Sequence, residues 1–395
     1  MAKKKILFVY YEMMTGGSTT SLLSLLYNFD YSKYDVDLLL YRNQGPYLKY
    51  IPEKVHHLQQ AMPEMTTRQK TIKSILNGEL ERSYFSGLKY THKLKRMPQE
   101  SAFMQAKLCR KIQKEYDVAI GYIELWSDVF VNHFIRAKKK ISWIHIDYEK
   151  AHYIPEIDRA RKTYNNSNYI VNVSDECLKN FNRSFPALSD RTVVIENILT
   201  KKFVLKRLED AQDVKLSLNP DALKLLTVCR IAIDQKGLDR GLDAVSELVQ
   251  KGHNIQWYIV GDGPDREKFT ALIKAKHAEK YVIMPGAMNC PFRLYDKFDA
   301  FLLPSRFEGK PMAVTEAQML GLPPVVTAYA SVNEQIVDSE TGFVAENDSF
   351  SLKTLVKQLC VDRGKLIQVK AHLREADFDN DDEIEKIYRM IEGKK

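Results

Sequence analysis

Short apolar runs, each followed by a turn and a segment long enough for a helix, recur along the whole of this chain. The first run, Lys5–Tyr10, leads through a turn with Gly16 and Gly17 into a predicted helix that ends near Tyr27. Val36–Tyr41 has the composition of the next strand. A strand, a helix and a strand at this spacing predict a βαβ unit, in which the two strands run parallel.

The same alternation continues to the end of the chain. Strands are predicted at 118–121, 140–146, 169–173, 193–195, 224–228, 256–260, 281–284, 299–303 and 324–327. Helices are predicted between the later strands, at 237–249, up to about 275 and at 311–320. The pattern indicates an α/β protein with doubly wound, Rossmann-like sheets, and such sheets bind ligands outside the carboxyl ends of their strands.

The length of the chain predicts two domains. Its 395 residues exceed one ordinary core, and a composition of 45% hydrophobic and 28% charged residues is typical of a globular protein. We expect an N-terminal domain at 1–200, a linker at 201–222, where charge is mixed and no apolar period appears, and a C-terminal domain at 223–378. The acidic segment 379–395 should form a final helix that packs back towards the first domain.

Several classes of protein are disfavoured. The five cysteines are far apart and form no Cys-x-x-Cys pair, which argues against a disulfide framework and against a zinc site. No apolar run approaches the 18 or so residues of a membrane span, and the first apolar run is too short for a signal peptide. We therefore expect a cytoplasmic protein without a bound metal.

Basic residues are concentrated in one region. Between Arg68 and Lys114 there are twelve Lys or Arg against three Glu, whereas the whole chain has a net charge of +8. This excess fits a solvated helix face, an anionic membrane surface or a nucleic acid. We favour peripheral contact with a membrane over nucleic acid, because no nucleic-acid-binding motif accompanies the charge.

The strongest local signal is a pair of acidic residues, Glu308 and Glu316, around a turn and the start of a helix. The turn contains Gly309 and Lys310, and Pro311 occupies the first turn of the predicted helix. Backbone N–H groups at such a helix start are able to hold an oxygen-rich ligand. Taken alone, the two carboxylates favour a helix with an N-terminal acid stabilised by the dipole and an ordinary surface Glu over a binding site.

The segment 301–323 closely resembles the signature of glycosyltransferase family 4, whose members are retaining, nucleotide-sugar-dependent enzymes of the GT-B fold. The resemblance implies two Rossmann-like domains that face each other across a cleft, with the acceptor in the first and the nucleotide sugar in the second. It implies that Glu308 lies beside the donor sugar and that Glu316 binds the ribose hydroxyls. It also implies that the N–H groups of Gly309 and Lys310 bind the sugar or the phosphate.

Further matches to the family lie in register. Arg230 ends a strand and Lys236 opens the next helix, like the family's pair of cations that neutralises the diphosphate. Two such cations stabilise a departing nucleoside diphosphate without a metal. Gly286 begins a loop, ending at Asn289, that resembles the one around the nucleobase. The donor is expected to be a UDP- or GDP-sugar.

The first half matches the family less specifically. Gly16 and Gly17 resemble its glycine loop, which approaches the diphosphate and the acceptor, although no acidic residue adjoins the loop here. His145 lies in a segment that resembles the one bearing the family's active-site histidine. Asn197 resembles the residue that closes the first domain, and we assign it a structural role.

The resemblance predicts transfer of a sugar to a glycan or a lipid-linked acceptor in the biosynthesis of capsule or exopolysaccharide, at the inner membrane face. It is absent over residues 50–115, the region where family members bind their acceptors, so neither acceptor nor linkage follows from it. Three alternatives remain open: a nucleotide-sugar epimerase of related fold, a non-catalytic nucleotide-sugar-binding protein and, least favoured, a nucleic-acid binder.

Overall fold

The structure is a computed structural model, and it describes residues 2–63, 98–150, 157–211 and 215–393. The chain forms two compact units. The first comprises Met1–Glu196 together with Asp382–Lys395, and the second comprises Asn197–Asp381.

In the described residues, the first unit contains one sheet of seven parallel strands in the order β3-β2-β1-β4-β5-β6-β7. The strands are β1 Lys4–Tyr10, β2 Tyr34–Leu40, β3 His56–His57, β4 Tyr116–Gly121, β5 Ala137–Ile144, β6 Tyr169–Asn172 and β7 Thr192–Val194. The helices between them are α1 Gly17–Asn28, α2 Pro98–Lys107, α3 Trp126–Phe134, α4 Ile157–Tyr164 and α5 Asp175–Ser184. Consecutive residues of β1 are fully buried, as expected for a parallel strand covered on both faces.

The second unit has the same architecture, with six parallel strands in the order β10-β9-β8-β11-β12-β13 in its described part. The strands are β8 Leu223–Val228, β9 Ile255–Val260, β10 Val282–Gly286, β11 Ala300–Leu303, β12 Pro324–Thr327 and β13 Phe343–Ala345. The helices are α6 Lys201–Glu209, α7 Ile233–Lys236, α8 Leu238–Gln250, α9 Arg266–Ala275, α10 Met312–Met319, α11 Ser349–Val361 and α12 Gly364–Glu375. Strand β8 lies between β9 and β11, so the turns after β8 and β11 meet at one edge of the sheet.

The segment expected to be a linker, 201–222, begins with a helix of the second unit. Thr200 caps α6 by accepting a hydrogen bond from the Phe203 N–H at 3.4 Å. Phe203, Val204 and Arg207 form the buried face of α6. The helical period was not recognised in the sequence because a charged residue, Arg207, occupies one of its buried positions.

The last helix, α13 Glu383–Glu392, belongs to the first unit. The Tyr388 ring stacks on Tyr34 with the ring centroids 5.2 Å apart, and Lys4 Nζ lies 2.5 Å from Glu392 Oε2. The end of the chain is thus attached to the strands at its beginning.

Most of the basic region at 68–114 lies outside the described residues, which resume at Pro98. In the part that is described, Lys114 Nζ donates to Asp37 Oδ2 at 2.8 Å, so this lysine forms an ion pair within the fold. None of the helices that the structure describes is long and apolar enough to cross a membrane.

Candidate active site

The acidic motif forms the connection between β11 and α10. Strand β11 ends at Leu303, the turn contains Glu308, Gly309 and Lys310, and α10 begins at Met312 with Pro311 as its N-cap residue. Although the chain is polar here, both acids are buried: Glu308 is 6% exposed and Glu316 is 7% exposed. Burying two carboxylates is unfavourable unless other groups compensate them.

Glu308 is compensated by a buried ion pair. Its Oε1 lies 2.6 Å from Lys236 Nζ and accepts a hydrogen bond from Ser305 Oγ at 2.5 Å. Lys236 ends the short helix α7, which follows β8, so the two halves of the pair come from the turns after neighbouring strands. This contact balances a cation against an anion inside the protein.

Arg230 lies in the same turn as the lysine but is exposed. Its Nη2 donates to Gln235 Oε1 at 2.9 Å. The partly buried thiol of Cys229 is within electrostatic range of Lys236, Glu308 and Arg230, and desolvation raises its pKa to about 12. The structure therefore pairs Lys236 with Glu308 and places Arg230 in the same turn as Lys236.

Two glycines permit the close approach of these turns. Gly237 has φ +58°, and a Cβ atom on it would lie 2.0 Å from the carbonyl oxygen of Pro304. A Cβ on Gly261, which has φ +150°, would lie 1.8 Å from the carbonyl oxygen of Cys229. Side chains at these positions would push apart the segments that carry Lys236, Glu308 and Arg230.

A buried arginine that was not singled out in the sequence holds the turn after β11. The Arg240 guanidinium donates to the carbonyl oxygens of Pro304 at 2.8 Å and Ser305 at 2.6 Å, and to Thr327 Oγ1 at 2.9 Å. These bonds fix the backbone just before Glu308. Arg240 lies on α8 among ordinary helical charges, so nothing local in the sequence indicates this role.

The backbone of Gly309 and Lys310 is also held in place. The Lys310 carbonyl accepts a hydrogen bond from Asn197 Nδ2 at 3.1 Å, and the Gly309 carbonyl accepts one from Ser331 Oγ. Gln335 Nε2 donates to the Pro311 carbonyl at 3.0 Å. Asn197 comes from the start of the second unit, and Ser331 and Gln335 flank one short turn after β12, so tertiary packing orients the peptide groups at the start of α10.

Glu316 lies within α10, eight residues after Glu308, and has different surroundings. Its Oε2 accepts a hydrogen bond from the Tyr295 hydroxyl at 3.4 Å. Burial raises the pKa of Glu316 to about 7, against the opposing effects of Arg207 and Tyr295. Neither Arg207 nor Tyr295 was identified from the sequence.

Gly286 ends β10 with φ +102°, and its carbonyl accepts a hydrogen bond from the Gly261 N–H at 3.0 Å. The loop after it is anchored at Asn289, whose carbonyl accepts a hydrogen bond from Arg207 Nη2 at 2.5 Å. This loop therefore begins beside the turn after β9 and is held at its other end by α6.

In the first unit, the remaining predicted residues gather around Tyr122, which follows β4. His145 follows β5, and its Nε2 donates to the Tyr122 carbonyl at 2.9 Å, while its backbone N–H donates to Glu124 Oε2 at 3.1 Å. The Tyr122 hydroxyl hydrogen-bonds Ser21 Oγ of α1 at 2.8 Å. Because α1 begins at Gly17, the glycine turn and His145 lie at the same edge of the first sheet.

Gly16 is the N-cap of α1, with extended backbone (φ 167°), and no atom of the described residues lies within 4 Å of the place where its Cβ would be. Gly16 and Gly17 are both exposed. The fold itself therefore does not require glycine at position 16, in contrast to positions 237 and 261.

No metal-binding arrangement is found in the part of the chain that the structure describes, where no three His, Cys, Asp or Glu side chains are grouped so that they could hold an ion.

Comparison with known proteins identifies the domain that carries the buried acidic motif. Residues 209–375 match the family model described as glycosyl transferases group 1. This range is therefore similar to group 1 glycosyl transferases, and it includes Arg230, Lys236, Glu308 and Glu316.

Curated relatives include the protein CapJ of Staphylococcus aureus, 26% identical over 62% of this chain and 56% of that protein. Another is the putative colanic acid biosynthesis glycosyltransferase WcaL of Escherichia coli K12, 32% identical over 33% of this chain and 34% of that protein. The chain thus aligns with only about a third to just over half of the length of these relatives.

Solved structures share the fold over almost the whole chain. TarM of S. aureus, in a complex with fondaparinux, alpha-GlcNAc-glycerol and UDP, matches with a TM-score of 0.68 at 13% identity, covering 98% of this chain and 99% of that one. HepE of Anabaena, in a complex with UDP-glucose, matches with a TM-score of 0.67 at 15% identity, covering 99% and 100%. The prediction of two parallel-sheet, Rossmann-like domains of the GT-B fold is confirmed.

Proposed function

We propose that this chain is a retaining glycosyltransferase that transfers a sugar from a nucleotide-diphosphate donor to a glycan or a lipid-linked acceptor in cell-surface polysaccharide biosynthesis. The group 1 domain and the names of the curated relatives support this proposal. The UDP and UDP-glucose in the structures of similar fold favour a UDP-sugar over a GDP-sugar as the first donor to test.

The observation that carries the proposal is the buried Lys236–Glu308 pair, with Arg230 beside it around Cys229. A sugar leaving a nucleoside diphosphate transfers negative charge to the phosphate oxygens. Fixed cations at that place stabilise the developing charge, and they act more strongly in a buried site than in water. In this proposal, Lys236 turns from Glu308 to the diphosphate when the donor binds, and Arg230 closes on the same group.

The remaining residues would surround the rest of the donor. Glu308 positions the donor sugar, Glu316 accepts hydrogen bonds from the ribose, and the peptide groups of Gly309 and Lys310 bind the sugar or the phosphate. The loop that begins at Gly286 surrounds the nucleobase.

In the first unit, Gly16 and Gly17 approach the diphosphate and the acceptor, and His145 lies beside the reacting sugar. We assign no enzymic nucleophile; the departing phosphate oxygen takes the proton of the acceptor hydroxyl.

Thermal-shift screening with UDP- and GDP-sugars tests donor binding without knowledge of the acceptor, since a ligand that binds only the folded state raises the melting temperature by mass action. We expect stabilisation by one class of nucleotide sugar and its loss in Glu316→Ala. Unchanged donor affinity in that variant would exclude the ribose role of Glu316.

Turnover tests the reaction itself. With donor and a lipid-linked acceptor, we expect a product whose new bond keeps the anomeric configuration of the donor, read from the anomeric proton coupling. An inverted product excludes retention, and a sugar epimerised in the absence of any acceptor favours the epimerase. Because the two cations replace a metal in this proposal, EDTA should leave the rate unchanged.

The basic residues between Arg68 and Lys114 would hold the protein at an anionic membrane. Sedimentation with vesicles tests this: we expect binding to vesicles rich in anionic lipid that weakens with salt, and no binding to neutral vesicles. Equal binding to both would exclude an electrostatic contact.

A further inference from the structure

The side chain of Arg207 is the most deeply buried cation near the candidate site, with an exposure of 0%. It extends from α6, outside the motifs by which the family is recognised. Its guanidinium lies over the rings of Phe292, at 5.2 Å from the centroid, and Phe203, at 5.9 Å. Burying a guanidinium is unfavourable unless specific partners compensate it.

One partner of Arg207 is the loop after β10. Nη2 donates to the Asn289 carbonyl at 2.5 Å, and the Arg207 carbonyl in turn accepts a hydrogen bond from Cys290 Sγ at 3.2 Å. Two bonds in opposite directions fasten α6 to the end of the loop that begins at Gly286. The position of this loop therefore depends on Arg207.

The guanidinium also acts electrostatically on the carboxyl group of Glu316, whose pKa it lowers against the effect of burial. Phe292, which packs on the guanidinium, and Tyr295, which donates to Glu316 Oε2, lie on the same 3₁₀ turn, Phe292–Lys297. Among the described residues, the groups that act on the ionisation of Glu316 are Arg207 from α6 and Tyr295 from this turn. Of these two, only Arg207 carries a charge.

We propose that Arg207 is a positioning residue for nucleotide binding, which fixes the loop at Asn289 and keeps Glu316 ionised so that it can accept hydrogen bonds from both ribose hydroxyls. This inference rests on the proposed function, because it takes Glu316 as the ribose ligand. An ionised carboxylate accepts two short, charge-assisted hydrogen bonds, whereas a protonated one must offer a donor to the same hydroxyls.

The ionisation of Glu316 is finely balanced near neutral pH. Burial raises its pKa to about 7 even with Arg207 present. A tenfold rise in the affinity of Glu316 for its proton reduces the ionised fraction at neutral pH from about a half to about a tenth. The binding-competent form is then about fivefold less abundant. Removal of the Arg207 charge acts in that direction.

Calorimetric titration with UDP, and separately with GDP, between about pH 6 and about pH 9 tests the inference. We expect Arg207→Gln to weaken binding about fivefold or more at neutral pH and to recover at alkaline pH, where Glu316 ionises without help. Glu316→Gln should show no such pH dependence, and adding Arg207→Gln to it should restore none.

Arg207→Lys retains the charge but not the planar fork, so it should keep the pH profile of the unmodified chain with a uniformly lower affinity. Lys206→Gln removes one charge from the neighbouring position of α6, where the lysine is 44% exposed and pairs with Glu209, and it should change neither the affinity nor its profile.

Infrared difference spectra against Glu316→Gln report the protonated carboxyl of Glu316 without any nucleotide. The pH midpoint of this band should rise in Arg207→Gln and remain unchanged in Lys206→Gln. An unmoved midpoint in Arg207→Gln, or a loss of affinity in that variant by the same factor at every pH, overturns the role of Arg207 but leaves the proposed function intact. Failure of the unmodified chain to bind either nucleotide overturns the proposed function, and with it the ribose role of Glu316.

Discussion

At the scale of single residues, the candidate site is built from acids that the fold buries at a cost in stability. Glu316 accepts a hydrogen bond from the Tyr295 hydroxyl at 3.4 Å, and burial raises its pKa from 4.5 to about 7. A glutamine would fill the same space without a charge. Residues retained in spite of such a cost are candidates for function.

Glu316→Gln should therefore stabilise the protein, and more so at higher pH. Below about pH 4 the carboxyl is protonated in both the folded and the unfolded chain, and burial has no differential effect. Between about pH 4.5 and about pH 7 the unfolded chain has lost the proton that the folded chain still holds, so the difference grows to about 3 kcal/mol and levels off above pH 7. Urea unfolding at acidic and alkaline pH measures it. A stability difference that shrinks as the pH rises would contradict the raised pKa.

The Lys236–Glu308 pair leads to a second prediction. Lys236→Ala leaves the Glu308 carboxylate buried without its cation and should destabilise the chain by about 3 kcal/mol. Replacing both residues, as in Lys236→Met with Glu308→Leu, should recover most of the stability but no transfer activity. Lys353→Ala is the control, because its contact with Glu247 lies at the surface and should contribute less than about 1 kcal/mol.

At the scale of elements, the site depends on close contacts between the turns after neighbouring strands. Strands β8 and β11 pair in the sheet, and the turns that follow them bring Lys236 to Glu308. Gly237 makes the contact possible because it adopts a left-handed conformation against the Pro304 carbonyl. A substitution there should affect the geometry of the site as well as the stability.

Gly237→Ala should lower the free energy of unfolding by about 3 kcal/mol or more, since it combines an unfavourable backbone conformation with a clash. Gly252→Ala serves as a matched control. Gly252 also has positive φ, at +88°, but within the described part of the chain no atom lies within 4 Å of a Cβ there, so the loss should be about 1 kcal/mol. Equal losses in the two variants would show that the contact with Pro304 is unimportant.

At the scale of the whole molecule, the chain crosses between its two compact units twice, and its last helix belongs to the first unit. This helix, α13, packs through Tyr388, whose ring lies 5.3 Å from Phe29 and 5.2 Å from Tyr34. The Tyr388 hydroxyl also accepts a hydrogen bond from the Asp30 N–H at 2.7 Å. The stability of the first unit therefore depends on residues at the far end of the sequence.

Tyr388→Ala should destabilise the first unit by about 3 kcal/mol, because it removes a packed aromatic side chain. Native-state hydrogen exchange measures the effect locally: faster exchange is expected in β1, β2 and α1, with β8 and β11 unchanged. Val361→Ala, at an exposed apolar position of α11, should leave hydrogen exchange unchanged both in β1, β2 and α1 and in β8 and β11. Uniform acceleration throughout the chain would mean that the two units unfold together.

Much of the architecture followed from the sequence. Strands such as Pro324–Thr327 were predicted with both of their ends, and most others to within a few residues. The segment 201–222 was misjudged because the buried positions of α6 include Arg207, and a charge is normally a sign of exposure. The roles of Arg207 and Arg240 could not be predicted, since each depends on carbonyl oxygens far away in the sequence.

The sequence by itself determined the order of the elements and the position of the acidic motif, because apolar periodicity and turn residues act between neighbours in the chain. Only the tertiary structure decided that Lys236 pairs with Glu308, that Asn197 holds Lys310, and that Arg207 is buried near Glu316. Each of these contacts joins residues separated by 70 or more positions. Their energies depend on which strands are adjacent and how much water is excluded, and neither quantity is set by local sequence.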